Sequence, residues 1–355
     1  MRDIHNDADF ADFLVASDVG ILYVSSTWWP PRERCEALLR DLVAHLEPDV
    51  SVASVNADDC AELCDKLNVR SVPAILVFQQ TLEVRRFLGA NMSAEIVRLA
   101  IATILFSGLA EASGRPQAAR RARLNDGHNL FDDTVSLFRD PPGKRLAGVF
   151  ICDSPQLGLD QARWLADQTS DVLLTQLTTL PPPIAHALAA HRGVLSFPKV
   201  RKLDAETAYL LGQFRGQALV LDGLRTLPVV VAEQLSDFPG TLAIAGLRRI
   251  SPSVAGALSR HAGALILAGL IEMTADIATC LANHRGRFVS LQGIQSIYEE
   301  NAKYLAQYPG TLCMTGLRTI SNCAADELFA TRGQLELYDH PELTSYARER
   351  LRRFM

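Results

Sequence analysis

A fixed period in the carboxyl-terminal two thirds of the chain constrains the fold more than any other feature of the sequence. Alanine and, three residues later, leucine recur together at steps of 23 or 24 residues. The two columns consist of Ala162, Ala185, Ala208, Ala232, Ala255, Ala278, Ala302 and Ala325, and of Leu165, Leu188, Leu211, Leu235, Leu258, Leu281, Leu305 and Leu328. A fixed period of about 20–50 residues is the signature of stacked structural units.

Each unit predicts a short strand, a turn and a helix. Leu219 and Leu221 alternate as in a strand, whereas Ala232 and Leu235 are spaced as on one face of a helix. We expect a strand of about five residues and a helix of about eleven, because these two lengths match in space. A glycine follows most of the predicted helices, and we expect it to take the left-handed conformation that ends many helices. These glycines are Gly193, Gly216, Gly240, Gly263, Gly286, Gly310 and Gly333.

A single unit cannot fold alone, because its few apolar residues do not offset the entropy of ordering its backbone. Stability must come from neighbouring units, as in a solenoid. The pattern resembles the leucine-rich repeat family, in a divergent bacterial type, over about residues 146–345. The resemblance implies an α/β solenoid of about eight repeats of 23–24 residues. The chain departs from the family where Leu224 and Leu247 stand in place of the usual asparagine.

Two further features of the array are interpreted as packing. Residues 346–355 are predicted to form a C-terminal cap, with Leu343, Tyr346 and Leu351 turned inward. One aromatic column is expected to be a packing column rather than a set of ligands, because histidines share it with phenylalanine and tyrosine. Its members are His191, Phe214, Phe238, His261, His284 and Tyr308.

Residues 1–108 carry a different pattern. Apolar β-branched runs alternate with segments of helical period, which predicts βαβ units and a largely parallel sheet. An apolar strand leads into a Trp-x-x-Pro turn at 28–31, and Ser71-Val72-Pro73 precedes another apolar strand. These two motifs resemble the thioredoxin family over roughly residues 8–108. The resemblance implies a thioredoxin-like domain in which the turn and the proline loop accept an extended peptide.

The redox positions implied by this resemblance do not hold thiols. The cysteine pair would fall on Trp29 and Arg32, and the buried acid would fall near Tyr23. Thiol–disulfide exchange needs a thiolate with a lowered pKa, which neither Trp29 nor Arg32 can supply. Cys35, Cys60 and Cys64 are therefore interpreted as buried structural residues, and they are kept as the redox candidates of this domain.

Composition and charge exclude several other classes of protein. The chain is 48% hydrophobic and 21% charged with a net charge of −5, unlike a disordered chain or a basic nucleic-acid binder. The longest uncharged apolar run, 262–271, is about half the length of a membrane-spanning helix. The seven cysteines include no CxxC pair. We expect a cytoplasmic protein that binds neither nucleic acid nor membrane and holds no metal or cofactor.

Two surfaces are candidates for binding a protein or peptide partner, and a linker and lead-in over 109–145 separates them. The first is a groove lined by Trp28, Trp29, Val72 and Pro73. The second is the concave strand face of the array, where we expect Val220, Asp222, Ile266 and Gln292. Exposed arginines are expected to follow the strands at Arg201, Arg225, Arg248 and Arg318. We interpret them as a solvated edge, with the binding of an acidic partner as the alternative.

The sequence therefore favours a non-catalytic interaction or scaffold protein, because no catalytic motif is found in it. The alternative is a thiol–disulfide oxidoreductase or thiol-dependent chaperone that uses Cys35, or Cys60 with Cys64. A further alternative is an intracellular sensor or effector in which the linker moves one domain against the other.

Overall fold

The fold was determined as a computed structural model. The structure describes residues 2–17, 19–26, 50–67, 69, 72–79, 81–88, 143–146, 149–337, 340 and 342–355. The chain divides into two compact units, Met1–Cys152 and Asp153–Met355. The expected linker lies almost wholly outside the described residues, so the predicted boundaries at 108 and 146 stay predictions.

A mixed five-stranded sheet organises the first unit. Its elements are β1 (Arg2–Ile4), α1 (Asp7–Val15), β2 (Val19–Ser25), β3 (Val50–Asn56), α2 (Ala61–Lys66), β4 (Ala74–Gln79) and β5 (Leu82–Leu88). The strand order is β1-β3-β2-β4-β5. The first three strands are parallel, whereas β4 is antiparallel to both β2 and β5. The predicted α/β class is confirmed, but the expectation of a largely parallel sheet is wrong.

Local sequence explains two of these elements. Helix α1 begins where the Asn6 side chain accepts a hydrogen bond from the Asp9 amide at 2.9 Å, which satisfies a free helix donor. Gln79 pairs with Leu82 where the antiparallel strands β4 and β5 meet. Thr81 has a φ of 70°, a left-handed conformation that is common in tight turns between antiparallel strands. The strand pair β6 (Gly143–Leu146) and β7 (Val149–Cys152) is also antiparallel.

In the described residues of the second unit, eight helices alternate with eight parallel strands before a C-terminal helix. The helices are α3 (Leu159–Ala166), α4 (Pro182–Leu188), α5 (Ala205–Gly212), α6 (Val229–Leu235), α7 (Pro252–Leu258), α8 (Ala275–Ala282), α9 (Glu299–Leu305) and α10 (Asn322–Phe329). The strands are β8 (Asp171–Leu174), β9 (Val194–Ser196), β10 (Ala218–Val220), β11 (Thr241–Ala243), β12 (Leu265–Ile266), β13 (Phe288–Ser290), β15 (Thr311–Cys313) and β17 (Gln334–Glu336). Two further strands, β14 (Ser296–Ile297) and β16 (Thr319–Ile320), pair in parallel and form a separate two-stranded sheet.

The order of these strands in their sheet follows the order of the chain. Leu219 pairs with Leu195 on one side and with Leu242 on the other, so each strand lies beside its counterpart from the preceding turn. Members of the alanine and leucine columns are at most 1% exposed. The small alanine side chain lets each helix lie close to the sheet. This parallel sheet with helices is consistent with a solenoid.

The predicted element lengths are wrong. The helices of the second unit contain seven or eight residues rather than about eleven, and its parallel strands contain two to four rather than five. Several helices begin at a side-chain cap, as where Asp204 accepts from the Thr207 amide and Ser251 accepts from the Val254 amide. The repeated apolar pattern correctly predicted which residues are buried. It overestimated the element lengths because buried apolar residues also lie in the loops that flank the helices and strands.

The conformation predicted for the glycine column is also wrong. None of its members has a φ between +20° and +160°, so they do not end helices in the left-handed conformation. A Cβ atom at Gly263 would lie 1.8 Å from the carbonyl oxygen of Gly240, and one at Gly286 would lie 1.9 Å from that of Gly263. Glycine is needed here because successive turns approach closely through their backbones.

The aromatic column is a continuous stack of rings in the second unit. Ring centroids of neighbouring members are 5.3–6.5 Å apart from His191 through to Tyr308. His191, His261 and His284 are each at most 3% exposed. The pKa of each histidine is lowered, mainly because burial disfavours the charged imidazole. The pKa of His284 is lowered to about 4. The prediction that these histidines are packing residues is confirmed.

The end of the second unit is covered by α11 (Ser345–Leu351) and a short 3₁₀ helix, Arg352–Phe354. Leu343 and Leu351 are buried as predicted, but Tyr346 is 45% exposed, so the prediction that it faces inward is wrong. The Thr344 hydroxyl caps α11, and Ala347 and Leu351 share its inner face. The Tyr346 hydroxyl instead donates to the Asp326 carboxylate. No helix among the described residues is long and apolar enough to cross a membrane.

Candidate functional site

The carboxyl ends of β2 and β3 form the edge of the first unit that leads to the predicted groove. The Ala57 amide, just after β3, donates to the Ser25 carbonyl at the end of β2 over 2.7 Å. The Ser26 hydroxyl lies 2.9 Å from both carboxylate oxygens of Asp58. These bonds fix the point where the chain leaves β2 towards the Trp-x-x-Pro segment. Trp28 and Trp29 themselves lie outside the described residues.

Val72 and Pro73 lie at the same edge. The Val72–Pro73 peptide bond is cis, Pro73 is buried and Val72 is half-buried. Strand β4 begins at the next residue, and Ala74 pairs with Val24 near the end of β2. The register therefore places Pro73 beside the residues that lead into the Trp-x-x-Pro segment. Of the four predicted groove residues, the structure describes Val72 and Pro73, and the groove itself stays a prediction.

Cys60 and Cys64 lie in the core of the first unit. They are 7% and 5% exposed, and the Cys60 Sγ donates to the Ile4 carbonyl oxygen at 3.5 Å. Burial, assisted by the carboxylates of Asp59 and Asp9, raises the pKa of Cys60. Burial also raises the pKa of Cys64 to about 11. A nucleophilic cysteine needs a lowered pKa and access to its substrate, and these two thiols have neither.

The remaining redox positions add no thiol that the structure describes. Tyr23, near which the buried acid would fall, is 2% exposed within β2 and carries a phenol rather than a carboxyl group. Cys35, Trp29 and Arg32 lie outside the described residues. Within the described ranges, no three His, Cys, Asp or Glu side chains lie together as a metal site would require.

The predicted strand-face residues of the second unit differ in exposure. Val220 is 3% exposed, Asp222 and Ile266 are half-buried and Gln292 is exposed. The Asp222 carboxylate accepts a hydrogen bond from the Ala245 amide of the next turn at 2.9 Å, and this bond links the two turns. The Gln292 amide lies 3.7 Å from the Sγ of Cys313. Partner binding by these four residues stays a prediction.

Sequence reasoning missed two features near these surfaces. One is the contact of Ser26 with Asp58. The available signal is a polar residue within two positions of the end of each of two parallel strands, because such strand ends meet at one edge of a sheet. The other is a depression of about 570 Å³ in the second unit, between the loops at 178–181 and 201–204. Its signal is the pair of basic residues, Arg201 and Lys202, that follows β9.

Comparison with known proteins supports the assignment of the first unit. A sequence model described as thioredoxin matches residues 3–102. A thioredoxin-like protein from Synechocystis is 24% identical over 92 residues, which is 26% of this chain and 88% of the relative. Thioredoxin from Mycobacterium tuberculosis is 27% identical over 93 residues, which is 26% of this chain and 80% of the relative.

Solved structures similar to the chain include thioredoxins from Malassezia sympodialis and Trypanosoma brucei brucei, at 16% and 20% identity. Each has a TM-score of 0.27 and aligns with 29% of this chain, covering 89% and 88% of the respective thioredoxin. The family match and the sequence relatives define a thioredoxin-like domain at the amino terminus of this protein. The predicted resemblance to the thioredoxin family is thus confirmed for that part of the chain.

Proposed function

We propose that the protein is a non-catalytic interaction or scaffold protein that joins a redox-silent thioredoxin-like module to a leucine-rich-repeat solenoid. The observation that carries the proposal is the state of Cys60 and Cys64. Both thiols are buried, and burial raises the pKa of each, that of Cys64 to about 11. At neutral pH such thiols are protonated and cannot attack a disulfide. A cytoplasmic location is part of the same proposal.

The peptide groove is the feature of the thioredoxin-like domain that we propose is retained. Val72 and Pro73 lie at the edge where β2 leads towards Trp28 and Trp29. Tryptophan is enriched among the residues that anchor protein interfaces. Trp29 in place of a reactive thiol, with Trp28 beside it, favours peptide binding without chemistry.

The proposal for the second unit is supported by its strand order and burial. The strands pair in chain order at steps of 23 or 24 residues, as Leu219 with Leu242 and Val289 with Leu312. The recurring alanines and leucines fill the space between the helices and the sheet. Stacked units of this kind present long regular surfaces, and such surfaces serve in binding.

The competing function is that of a thiol–disulfide oxidoreductase or a thiol-dependent chaperone. It requires a reactive thiol at Cys35, or a pair formed by Cys60 and Cys64. Cys35 lies outside the described residues, so the test must include it.

Reduction of insulin disulfides by the full-length protein distinguishes the two functions. We expect no rate above that of dithiothreitol alone, because the positions of the redox pair hold Trp29 and Arg32. A thioredoxin assayed in parallel confirms that the reaction is detected. Turnover that disappears in Cys35→Ser or Cys60→Ser would establish the oxidoreductase and refute the proposal.

A further inference from the structure

Six basic side chains lie together on the loops that follow three neighbouring strands of the second unit. We call this surface the basic edge. All six side chains are exposed: Lys199, Arg201 and Lys202 after β9, Arg225 after β10, and Arg248 and Arg249 after β11. Their positions follow from the repeated geometry of the sheet rather than from chance proximity.

Three of these arginines occupy the same position on successive turns. Ser196, Val220 and Ala243 are paired in register across β9, β10 and β11. Arg201, Arg225 and Arg248 each follow the paired residue of their own strand by five positions. Because paired strands are about 4.8 Å apart, the register places three positive charges on neighbouring turns. Like charges at that spacing repel one another.

The loops of the basic edge carry six basic residues and only two acidic ones, Asp204 and Asp222, so the basic charge is in excess. Arg249 pairs with Glu272 at 3.8 Å, at the far side of the edge. The Asp204 carboxylate accepts from the Thr207 amide, and Asp222 accepts from the Ala245 amide. In the part of the chain that the structure describes, Arg201, Lys202, Arg225 and Arg248 form no ion pair. The Arg225 guanidinium donates to the Gly246 carbonyl oxygen, at 3.3 Å.

An apolar depression adjoins the basic edge. It has a volume of about 570 Å³ and lies between the loops at 178–181 and 201–204. Most of its accessible lining is apolar, although Leu180 and Leu203 are themselves at most 8% exposed. The lining residues are Thr178, Thr179, Leu180, Pro181, Arg201, Lys202, Leu203 and Asp204. This combination suits a polypeptide that carries acidic side chains next to an apolar one. A fully charged polymer would gain nothing from the depression.

We propose that the basic edge binds an extended acidic segment of a partner protein, with one apolar side chain of that segment in the depression. The inference rests on the interaction function proposed above, and it names the chemistry of the partner. Four turns, from the loop at 178–181 to Arg248, span about 14 Å, and an extended chain advances about 3.4 Å per residue. The bound segment is therefore about four or five residues long.

Binding of a fluorescein-labelled peptide to the full-length protein tests this proposal. The probe is a ten-residue peptide of glutamates around a central leucine, and its matched control replaces each glutamate with glutamine. We expect fluorescence anisotropy to detect the glutamate peptide at 0.15 M salt and to show weaker binding at higher salt. No binding of the glutamate peptide, or equal binding of both peptides, would overturn the proposal.

Charge reversal at the edge locates the site. The variant R201E/R225E/R248E should weaken binding about tenfold or more, because three attractions become repulsions. The matched control R192E/R215E/R285E changes the net charge equally, at exposed arginines that precede the strands rather than follow them. Equal weakening by both triple variants would mean attraction by overall charge alone, and the site would be rejected.

Two further measurements keep the test decisive if a variant unfolds or if another class of anion binds. If the reversed variant unfolds, the neutral variant R201Q/R248Q replaces it and should still weaken binding more than R192Q/R215Q does. A ten-nucleotide oligothymidylate tests the other class of anion, and tighter binding of it than of the peptide would overturn the proposal. Failure of any of these tests leaves the insulin result untouched, so it can be told apart from failure of the proposed function.

Discussion

At the residue scale, the aromatic column links packing to pH. His261 and His284 have neighbouring rings 6.0 Å apart, and both rings are buried. A charged imidazole at either position would lose its hydration and lie beside another ring of the same kind. Burial accordingly lowers the pKa of His284 from 6.5 to about 4. In the folded chain the column is therefore built from neutral rings.

The protein should become less stable as the pH is lowered, because of this column. Because the pKa is lower in the folded than in the unfolded chain, the unfolded state binds more protons as the pH drops below about 6.5. The contribution of His284 to stability is therefore complete above pH 6.5 and is lost progressively towards pH 4. Between pH 7.5 and pH 5 the free energy of unfolding should fall by about 2 kcal/mol through His284 alone.

The substitution His284→Phe tests this expectation, because phenylalanine already occupies the column at two other turns. Urea unfolding at pH 7.5 and pH 5 should show a smaller loss of stability in the variant than in the unchanged protein. His186→Gln is the control, since this histidine is exposed and lies outside the column. An unaltered pH dependence in His284→Phe would show that its imidazole does not carry the effect.

At the scale of the element, replacement of two glycines by alanine should change the stability of the protein in opposite directions. Gly263 precedes β12, and a Cβ atom there would lie 1.8 Å from the Gly240 carbonyl oxygen. Gly263→Ala should therefore destabilise the protein by at least about 2 kcal/mol, because backbone has to move. Gly256 lies within α7, where the nearest atom to such a Cβ is the Cys280 Sγ at 3.7 Å.

Gly256→Ala should stabilise the protein by about 0.5–1 kcal/mol, since alanine is the better helix former and has room. Thermal unfolding of both variants measures the pair. Similar effects of the two substitutions would contradict the close approach of successive turns at Gly263.

The leucine column makes a second prediction at this scale. Leu258 at the end of α7 is fully buried, and Leu258→Ala should cost about 2–5 kcal/mol through lost burial and a cavity. Arg248→Ala on the exposed loop should change stability by no more than about 0.5 kcal/mol. Denaturant unfolding compares the two, and equal losses would mean that the assigned faces are wrong.

These elements show which part of the fold is readable from sequence. Burial of Ala255 and Leu258 was predictable, because core positions repeat with the helix and the turn. The positions of the helix ends were not predictable. They depend on local caps such as Ser251, and on the turn after each helix that brings a ring such as His261 into the column. The role of Gly263 was missed because it depends on the distance to another turn, which no local pattern encodes.

At the scale of the whole molecule, the candidate site was predictable where a motif fixes the backbone. Pro73 cannot donate to a strand ladder, and it stands at the start of β4 as expected. The contact of Ser26 with Asp58 was not predictable, because it depends on which strands become neighbours. The stacking of Arg201, Arg225 and Arg248 follows from the repeat period, yet the depression beside them follows only from the three-dimensional structure.

The proposed function makes one prediction about the thiols of the whole chain. In the described residues, Cys323 is exposed and Cys280 is half-buried, whereas Cys60, Cys64, Cys152 and Cys313 are buried. A thiol reacts through its thiolate, so burial and a raised pKa both slow its reaction with Ellman's reagent. Cys323 should therefore react in a fast phase at pH 8, and Cys323→Ser should reduce the amplitude of that phase by one thiol. Unfolding in urea should release the buried thiols together.

The variant pair Cys60→Ser and Cys64→Ser tests, in the same assay, the form of the competing function that uses these two thiols. If the protein is redox-silent, neither substitution changes the fast phase of the folded chain, because these thiols are protected in the core of the thioredoxin-like domain. A catalytic pair would behave in the opposite way, since at least one of its thiols must meet substrate as a thiolate near neutral pH. Loss of a fast phase in Cys60→Ser or Cys64→Ser, with the far-ultraviolet circular dichroism unchanged, would therefore favour the oxidoreductase over the scaffold.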